Sequence, residues 1–338
     1  MRKKIILGFL LVFILAILGG FFYVRNQIYY SHGVQKQVIL FEIKKGEGNE
    51  VIATNLGNKG LISGKVYFYY YIYRAKLINR IMPGSYLLSG NLTIPEIAHA
   101  ITNPETQAVR ITFPEGLTAK NMAEIIRKNN FDGDGFSALT SSIPDSFRKR
   151  YAFLADPEVT SLEGYLFPDT YFFKKDLTAE AIAKKMLDNF ENKLDETLLT
   201  EIKKQNKKLS DVITLASIVE KEVPTEADMK IVAGIFENRL AVDMPLQSDA
   251  TLSYILNDTI DSHSLEQLKT ISPYNTYTNK GLPPGPIANP GSQAILAVIY
   301  PQKTDYTYFL TAGTGEDKKT YYAKTYDEHL ANKQKAEL

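Results

Sequence analysis

Three basic residues, Arg2, Lys3 and Lys4, precede an uncharged run from Ile5 to Val24. An apolar stretch of about 20 residues is what a helix needs to cross a bilayer. The apolar core of a cleaved signal peptide is shorter, roughly 7–15 residues. No clear A-x-A site follows the run. The pattern therefore predicts a cytoplasmic tail over 1–4 and a retained single-pass membrane helix over 5–24. By the positive-inside bias, the N-terminus is cytoplasmic and the rest of the chain extracytoplasmic. The polar stretch "RNQIYYSHGVQKQ", 25–37, reads as a tether.

From Val38 the pattern switches between short apolar runs and helical spacing. "VILFEI" and "GSYLLSG" read as strands, and "NEVIATNLGNKG", "GKVYFYYYIYRAK" and "TIPEIAHAIT" as helices. A strand, glycine turn and amphipathic helix then recur over 108–131. Gly46 aligns with Gly116, Ile52 with Met122, Ala53 with Ala123, Leu56 with Ile126 and Leu61 with Phe131. "FDGDGFSAL" reads as a loop entering a helix, too poor in carboxylates for a calcium loop. A boundary is expected near 145–160. Beyond it the periodicity predicts helices over Thr178–Leu194, Ser210–Glu222 and Thr225–Ala241. Short strands follow at "DYTYFLTAG" and "KKTYYAKT". The whole reads as an α+β protein behind a membrane helix.

Composition narrows the chemistry. With 39 basic and 38 acidic residues, the net charge of +1 gives no reason to expect a nucleic-acid partner. The chain has no cysteine, which excludes disulfides and thiolate chemistry. Its histidines, His32, His99, His263 and His329, are scattered. HExxH, GxGxxG, Walker and GxSxG motifs are absent. Metal hydrolysis, nucleotide use and serine-esterase chemistry thus lack support, and no cofactor or metal is expected.

One helix carries acids where apolar residues are expected. In "LASIVEKEVP", Val212, Ile213, Leu215, Ala216, Ile218 and Val219 form a wide apolar arc at about 100° per residue. Ser210 is its expected N-cap. Glu220 falls inside the arc and Glu222 at its far edge, so the two splay apart. Burial disfavours a charged carboxyl and raises its pKa. A neutral acid near pH 7 is what protonating a glycosidic oxygen requires. The bland alternatives are an ion pair of Glu220 with Arg239, and a helix-end pairing of Glu222 with a lysine.

Three further polar clusters accompany this helix. "SLEGYLFPDTYFF" offers Glu163, Tyr165 and Asp169 on a shaped loop, either an aromatic mini-core or a saccharide-cleft wall. Asn238, Arg239, Gln247 and Asp249 follow along "FENRLAVDMPLQSDAT". Tyr274, Asn275, Thr276 and Tyr277 lie in the rigid loop "SPYNTYTNKGLPPGPIANPG". There Asn275 is expected to be an exposed amide facing substrate, with little weight in stability.

"LEGYLFPDTY", "LASIVEKE", "VAGIFENRL", "MPLQSDATLSY" and the proline-rich loop together resemble the YceG-like family of endolytic murein transglycosylases, from about Val38 onward. The resemblance implies a LysM-like subdomain over 38–105 and a catalytic domain over 106–338. It implies Glu220 as the catalytic acid, with the clustered residues above binding substrate. The implied reaction is non-hydrolytic cleavage of the MurNAc–GlcNAc β-1,4 bond in nascent glycan strands, leaving 1,6-anhydro ends and terminating strand elongation. The implied partners are peptidoglycan and the cytoplasmic membrane, with penicillin-binding proteins and the elongation or division machinery. A hydrolytic muramidase would need a second carboxylate, for which Glu163 and Asp169 are the candidates. A catalytically silent wall-binding protein is the remaining alternative.

Overall fold

The computed structural model describes residues 2–258, 260, 262–313 and 319–336, with side chains from residue 6 onward. The chain forms two compact units, Met1–Arg110 with Tyr171–Leu177, and Ile111–Thr170 with Thr178–Leu338. The stretch 145–160 lies inside the second unit, not at a boundary.

In the first unit, α1 (Arg2–Tyr29) continues five residues past the expected span. Residues 25–29 are therefore helix and not tether. The reason is packing: Ile28 is buried and Val24 rests on the same apolar cluster. Next come β1 (Ile39–Ile43), α2 (Asn49–Asn58), α3 (Lys65–Arg74), β2 (Gly84–Leu88) and α4 (Ile94–Thr102). β1 and β2 pair antiparallel, from Ile39 opposite Leu88 to Ile43 opposite Gly84. Phe41, Leu56, Phe68, Ile72, Tyr86 and Ile97 fill the core beneath them. α4 begins with a capping box, in which the Thr93 N–H donates to Glu96 Oε2 at 2.7 Å and the Glu96 N–H to Thr93 Oγ1 at 3.3 Å.

The chain enters the second unit within β3 (Val109–Thr112). There follow α5 (Ala119–Lys128), α6 (Gly133–Ser141) and α7 (Asp145–Arg150), then β4 (Thr170–Phe173), whose residues from Tyr171 belong to the first unit. α8 (Ala179–Lys193), α9 (Glu196–Lys204), α10 (Leu209–Glu222), α11 (Glu226–Ala241) and α12 (Asp249–Leu256) precede the proline-rich loop. α13 (Ser292–Ile299), the hairpin of β5 (Tyr308–Ala312) and β6 (Lys319–Ala323), and α14 (Tyr326–Lys335) complete the unit. Lys318, which opens the last predicted strand, lies outside the described residues.

Two local expectations need correction or comment. α10 starts one residue earlier than expected, behind Lys208, so Ser210 is not its N-cap. The Ser210 hydroxyl instead donates to Asp156 Oδ2 at 3.1 Å. The two aligned segments share their local form. Each has a strand, a left-handed glycine (Gly46 φ 82°, Gly116 φ 73°) and a helix, with Ile52, Ala53, Leu56 and Leu61 buried in one and Met122, Ala123, Ile126 and Phe131 in the other.

Candidate active site

α10 is the axis of the second unit's core. Its residues from Val212 to Val219 are all buried, packed against α11 and α13. At full burial, each such aliphatic side chain contributes about 1.5–3 kcal/mol of hydrophobic stabilisation. Glu220 and Glu222 follow this buried run in the last turn, and each is half-buried.

The two acids meet different surroundings. Glu220 Oε2 accepts the backbone N–H of Gly291 at 3.1 Å. Burial pushes the Glu220 carboxyl up to about 7, and the Glu115 carboxylate pushes the same way. The Gly291 N–H and Lys221 oppose them. The negative end of α10 also disfavours an anion there. Glu222 instead accepts the Ser248 hydroxyl. Burial raises it to about 7 as well, with Ser248 and Arg239 favouring its charged form and Asp249 opposing. Neither bland alternative holds: Glu222 is paired with a serine and not a lysine, and Arg239 acts on Glu222 and not on Glu220.

Gly291 and Glu115 are close neighbours of the acid. A Cβ at Gly291 would lie 1.8 Å from Glu115 Oε1, so the glycine leaves the space that this carboxylate occupies. A Cβ at Gly116 would lie 3.3 Å from the Lys221 side chain and 3.5 Å from that of Glu220, and the Lys221 ammonium donates to the Gly116 carbonyl at 3.4 Å. The turn "FPEG" thus carries Glu115 to the acid. Sequence reading used that turn only as half of a repeat, and its acid before a left-handed glycine was the available signal.

Asn289, buried completely, ties the surrounding loops. Its Oδ1 accepts the N–H groups of Gly164 and Leu166, both at 2.9 Å. Its Nδ2 donates to the Leu117 carbonyl at 3.0 Å and to Glu163 Oε1 at 2.7 Å. Its backbone bridges to Leu117 and Gly116. Glu163, itself buried, also accepts the Ala119 N–H at the start of α5, at 2.9 and 3.1 Å to its two oxygens. Burial raises its carboxyl to about 7 against the pull of these donors.

A cleft of about 690 Å³ opens beside this knot. Gly116, Lys120, Asn121 and Lys221 line it, with Glu163 at its wall and the rings of Tyr254 and Tyr274 exposed to it, 5.2 Å apart and tilted. Polar groups interleaved with flat aromatic faces suit a carbohydrate. Of its lining residues, Gly116 and Lys221 are the neighbours of Glu220.

The other expected site residues fall elsewhere. Tyr165 is a core ring stacked on Phe153 at 5.8 Å, its edge reaching an adjoining cavity of about 400 Å³. Asp169 accepts from Asn189 at 3.0 Å and from the Thr170 N–H, and shapes its loop. Asn238 donates to the carbonyls of Thr304 and Tyr306, and Arg239 to those of Thr307 and Leu246. Asp249 bridges Tyr277, which donates to it at 3.0 Å, and His263 at 3.0 Å. Thr276 accepts the Ser248 N–H on its hydroxyl and the Gln247 N–H on its carbonyl, both at 3.0 Å. Of these, Arg239, Asp249 and Tyr277, with Ser248, act on Glu222 and not on Glu220.

Asn275 is the clearest correction. It is fully buried, not an exposed amide. Its Nδ2 donates to the carbonyls of Leu268 and Thr270 at 3.0 and 2.8 Å, and its Oδ1 accepts the Tyr277 N–H at 2.9 Å. It holds the loop's shape from within.

Two substitutions test this placement. Asn289→Ala leaves two buried N–H groups and the Glu163 carboxyl short of partners, at about 1–3 kcal/mol for each group. A loss of roughly 3 kcal/mol or more is expected in chemical denaturation, and a midpoint equal to wild type would refute the knot. Asn275→Ala should cost about 2 kcal/mol by the same reasoning. Thermal denaturation checks it, and an unchanged melting temperature would return Asn275 to the surface.

The chain matches the YceG-like family over residues 41–335. It is 33% identical over 335 residues to an endolytic murein transglycosylase of Bacillus subtilis (strain 168), covering 94% of this chain and 90% of that one. It is 30% identical over 361 residues to an endolytic murein transglycosylase of Streptococcus pneumoniae (strain D39), covering 98% of this chain and 64% of that longer relative. A crystal structure of a YceG-like protein from Listeria monocytogenes superimposes with a TM-score of 0.61 at 32% identity, covering 87% of this chain and 98% of the other. The motifs, the fold and the matched length lead to one conclusion: the chain belongs to the YceG-like family.

Proposed function

We propose that this protein is an endolytic murein transglycosylase held at the cytoplasmic membrane by α1. The observation that carries the reading is Glu220, a half-buried carboxyl raised to about 7 next to Gly116 and Lys221, two of the residues that line the aromatic-walled cleft. One of its oxygens is held by the Gly291 N–H. The other takes no hydrogen bond from the protein among the described residues. In the neutral acid Oε2 is then the carbonyl oxygen and Oε1 carries the proton.

The chemistry follows from one acid used twice. Glu220 Oε1–H gives its proton to the oxygen joining MurNAc C1 to GlcNAc, and the C1–O bond breaks with its electrons going to that oxygen. GlcNAc leaves with a free hydroxyl, and an oxocarbenium-like sugar remains. The Glu220 carboxylate then removes the proton of the C6 hydroxyl, whose oxygen bonds to C1 and closes the 1,6-anhydro ring. Water does not enter and the acid is restored. The positions of the other acids fit this scheme: Glu222 faces away, Glu163 is tied to Ala119 and Asn289, and Asp169 shapes its own loop. The β–α–α–β order of residues 39–88 supports the LysM-like reading of the first unit.

Glu115 favours a second reading, hydrolysis. It is the carboxylate that acts on Glu220, and it is exposed, so it could activate a water. Mass spectrometry of digested sacculi separates the two: anhydro-muramyl ends for the transglycosylase, reducing ends for the hydrolase.

Glu220→Gln should keep the fold and abolish muropeptide release, since an amide neither donates nor recovers the proton. Glu222→Gln should be milder. Near-wild-type release by Glu220→Gln would end the assignment.

The pH profile is a separate test. The first step needs protonated Glu220, so kcat/KM should fall as pH rises through about 7. The negative charge of Glu115 favours the protonated form of Glu220, and the substitution removes that charge. Glu115→Gln should therefore move this limb to lower pH. A limb that stays in place would remove Glu115 from the acid's surroundings.

A further inference from the structure

α3 carries an outward stripe that the catalytic reading leaves unused. Phe68 and Ile72 enter the core, and Tyr67 and Tyr71 pack beside it. Val66, Tyr69, Tyr70 and Tyr73, spaced i, i+3, i+4, i+7, form the opposite side and are 69%, 44%, 51% and 66% exposed. Four large apolar or aromatic groups in one exposed helical stripe call for a partner.

The position of α1 says which partner. Tyr23 of α1 meets Tyr67 edge-on at 6.4 Å, and Tyr29 meets Tyr71 at 6.3 Å. The two helices therefore run side by side in the same direction. From Ile6 to Tyr23, α1 spans about 27 Å at 1.5 Å per residue, close to the thickness of a bilayer's hydrocarbon core. If Ile6 starts within that core, Tyr23 lies at its outer boundary, and the first turns of α3 lie level with it. α1 runs unbroken from this point to Ile28, 3% exposed in the unit's own core. The first unit has no slack with which to leave the surface. On the helical wheel Tyr70 is the stripe residue nearest the side that meets α1. Lys65 and Arg74 stand at the two ends of α3, where basic heads reach phosphates.

We propose that the stripe Val66–Tyr69–Tyr70–Tyr73 docks into the headgroup layer of the same membrane that α1 spans. Tyrosine suits this layer, with an apolar ring below and a hydroxyl in water. The proposal rests on the anchor reading of α1. It fixes the first unit against the bilayer instead of leaving it on a free stalk.

The chain contains no tryptophan, so one introduced indole reports its own surroundings. Full-length Tyr70→Trp, Tyr73→Trp and Phe13→Trp are reconstituted separately in phosphatidylglycerol/phosphatidylethanolamine vesicles. Each vesicle set carries lipids brominated either near the headgroup end of the acyl chains or near their termini. Circular dichroism confirms helix content. Phe13→Trp should be quenched more by the deep bromines, and Tyr70→Trp more by the shallow ones, by about twofold or more. Tyr73→Trp should follow Tyr70→Trp with weaker quenching. Quenching of Phe13→Trp with a water-like emission from both stripe variants would overturn the docking and leave the anchor standing. No quenching of Phe13→Trp would overturn the anchor, and the docking with it.

Discussion

The buried amide of Asn289 is the constraint on which the site's geometry rests. It joins Leu117, Glu163, Gly164 and Leu166, groups more than 100 residues away along the chain, through one side chain that uses both its donors and its acceptor. Closing loops of that length costs conformational entropy, and partners satisfied only in the closed arrangement offset it. Because Asn289 is fixed, Gly291, two residues on, is fixed too. The N–H that holds the Glu220 carboxyl is therefore positioned by contacts of its own loop. Placement of the acid depends on α10 from one side and on this knot from the other.

Glu163, Glu220 and Glu222 are all raised to about 7, with burial the leading cause in each. The sign matters for stability. Each folded pKa lies above the ordinary 4.5, so the folded state holds more protons than the unfolded chain between those values. The favourable contribution is full below about 4.5 and is lost as pH rises through about 7. The three acids thus weaken the fold toward neutral pH, which would be a poor arrangement if stability were their only role. Their partners differ in kind. Glu163 meets three donor contacts and Glu222 a hydroxyl, whereas Glu220 meets one backbone N–H. A raised acid with one oxygen that takes no protein donor among the described residues is equipped for proton transfer.

How much of this was legible in the sequence depended on the range of the signal. The position of Glu220 inside an apolar arc is a local, periodic fact, and the helical wheel found it. The same wheel placed Glu222 away from it. The helices over 178–194, 210–222 and 225–241 and the two terminal strands are legible for the same reason, whereas α9 and the pairing of the strands are not. Asn275 and Asn289 show the limit. Both are polar residues in a loop rich in proline and glycine, and composition says only that such a loop is irregular. Whether an amide there faces solvent or closes a buried network depends on segments far away in sequence. Nothing in the local pattern distinguishes the two, and Asn275 was accordingly read as exposed. Glu115 was hidden differently, because only the tertiary approach of its turn to Gly291 brings it beside the acid.

The proline-rich loop converts these separate contacts into one device. The backbone of Ile287 donates to Ser217 Oγ at 2.9 Å, and Ser217 lies one turn before Glu220 on α10. Asn289 closes the knot, and Gly291 reaches Glu220 itself. Three alternate positions thus grip the helix, the neighbouring loops and the acid in turn. Ser217, buried completely in the middle of the apolar run, is the first of these fastenings. A proline-rich segment serves here because Pro286 and Pro290 limit backbone freedom while leaving the N–H groups of 287, 289 and 291 available. A more flexible loop could make the same bonds, but it would lose more entropy in doing so and would hold the Gly291 N–H less tightly against Glu220. The exactness needed for one carboxyl to donate a proton and then recover another from the same sugar therefore resides in a loop without regular secondary structure.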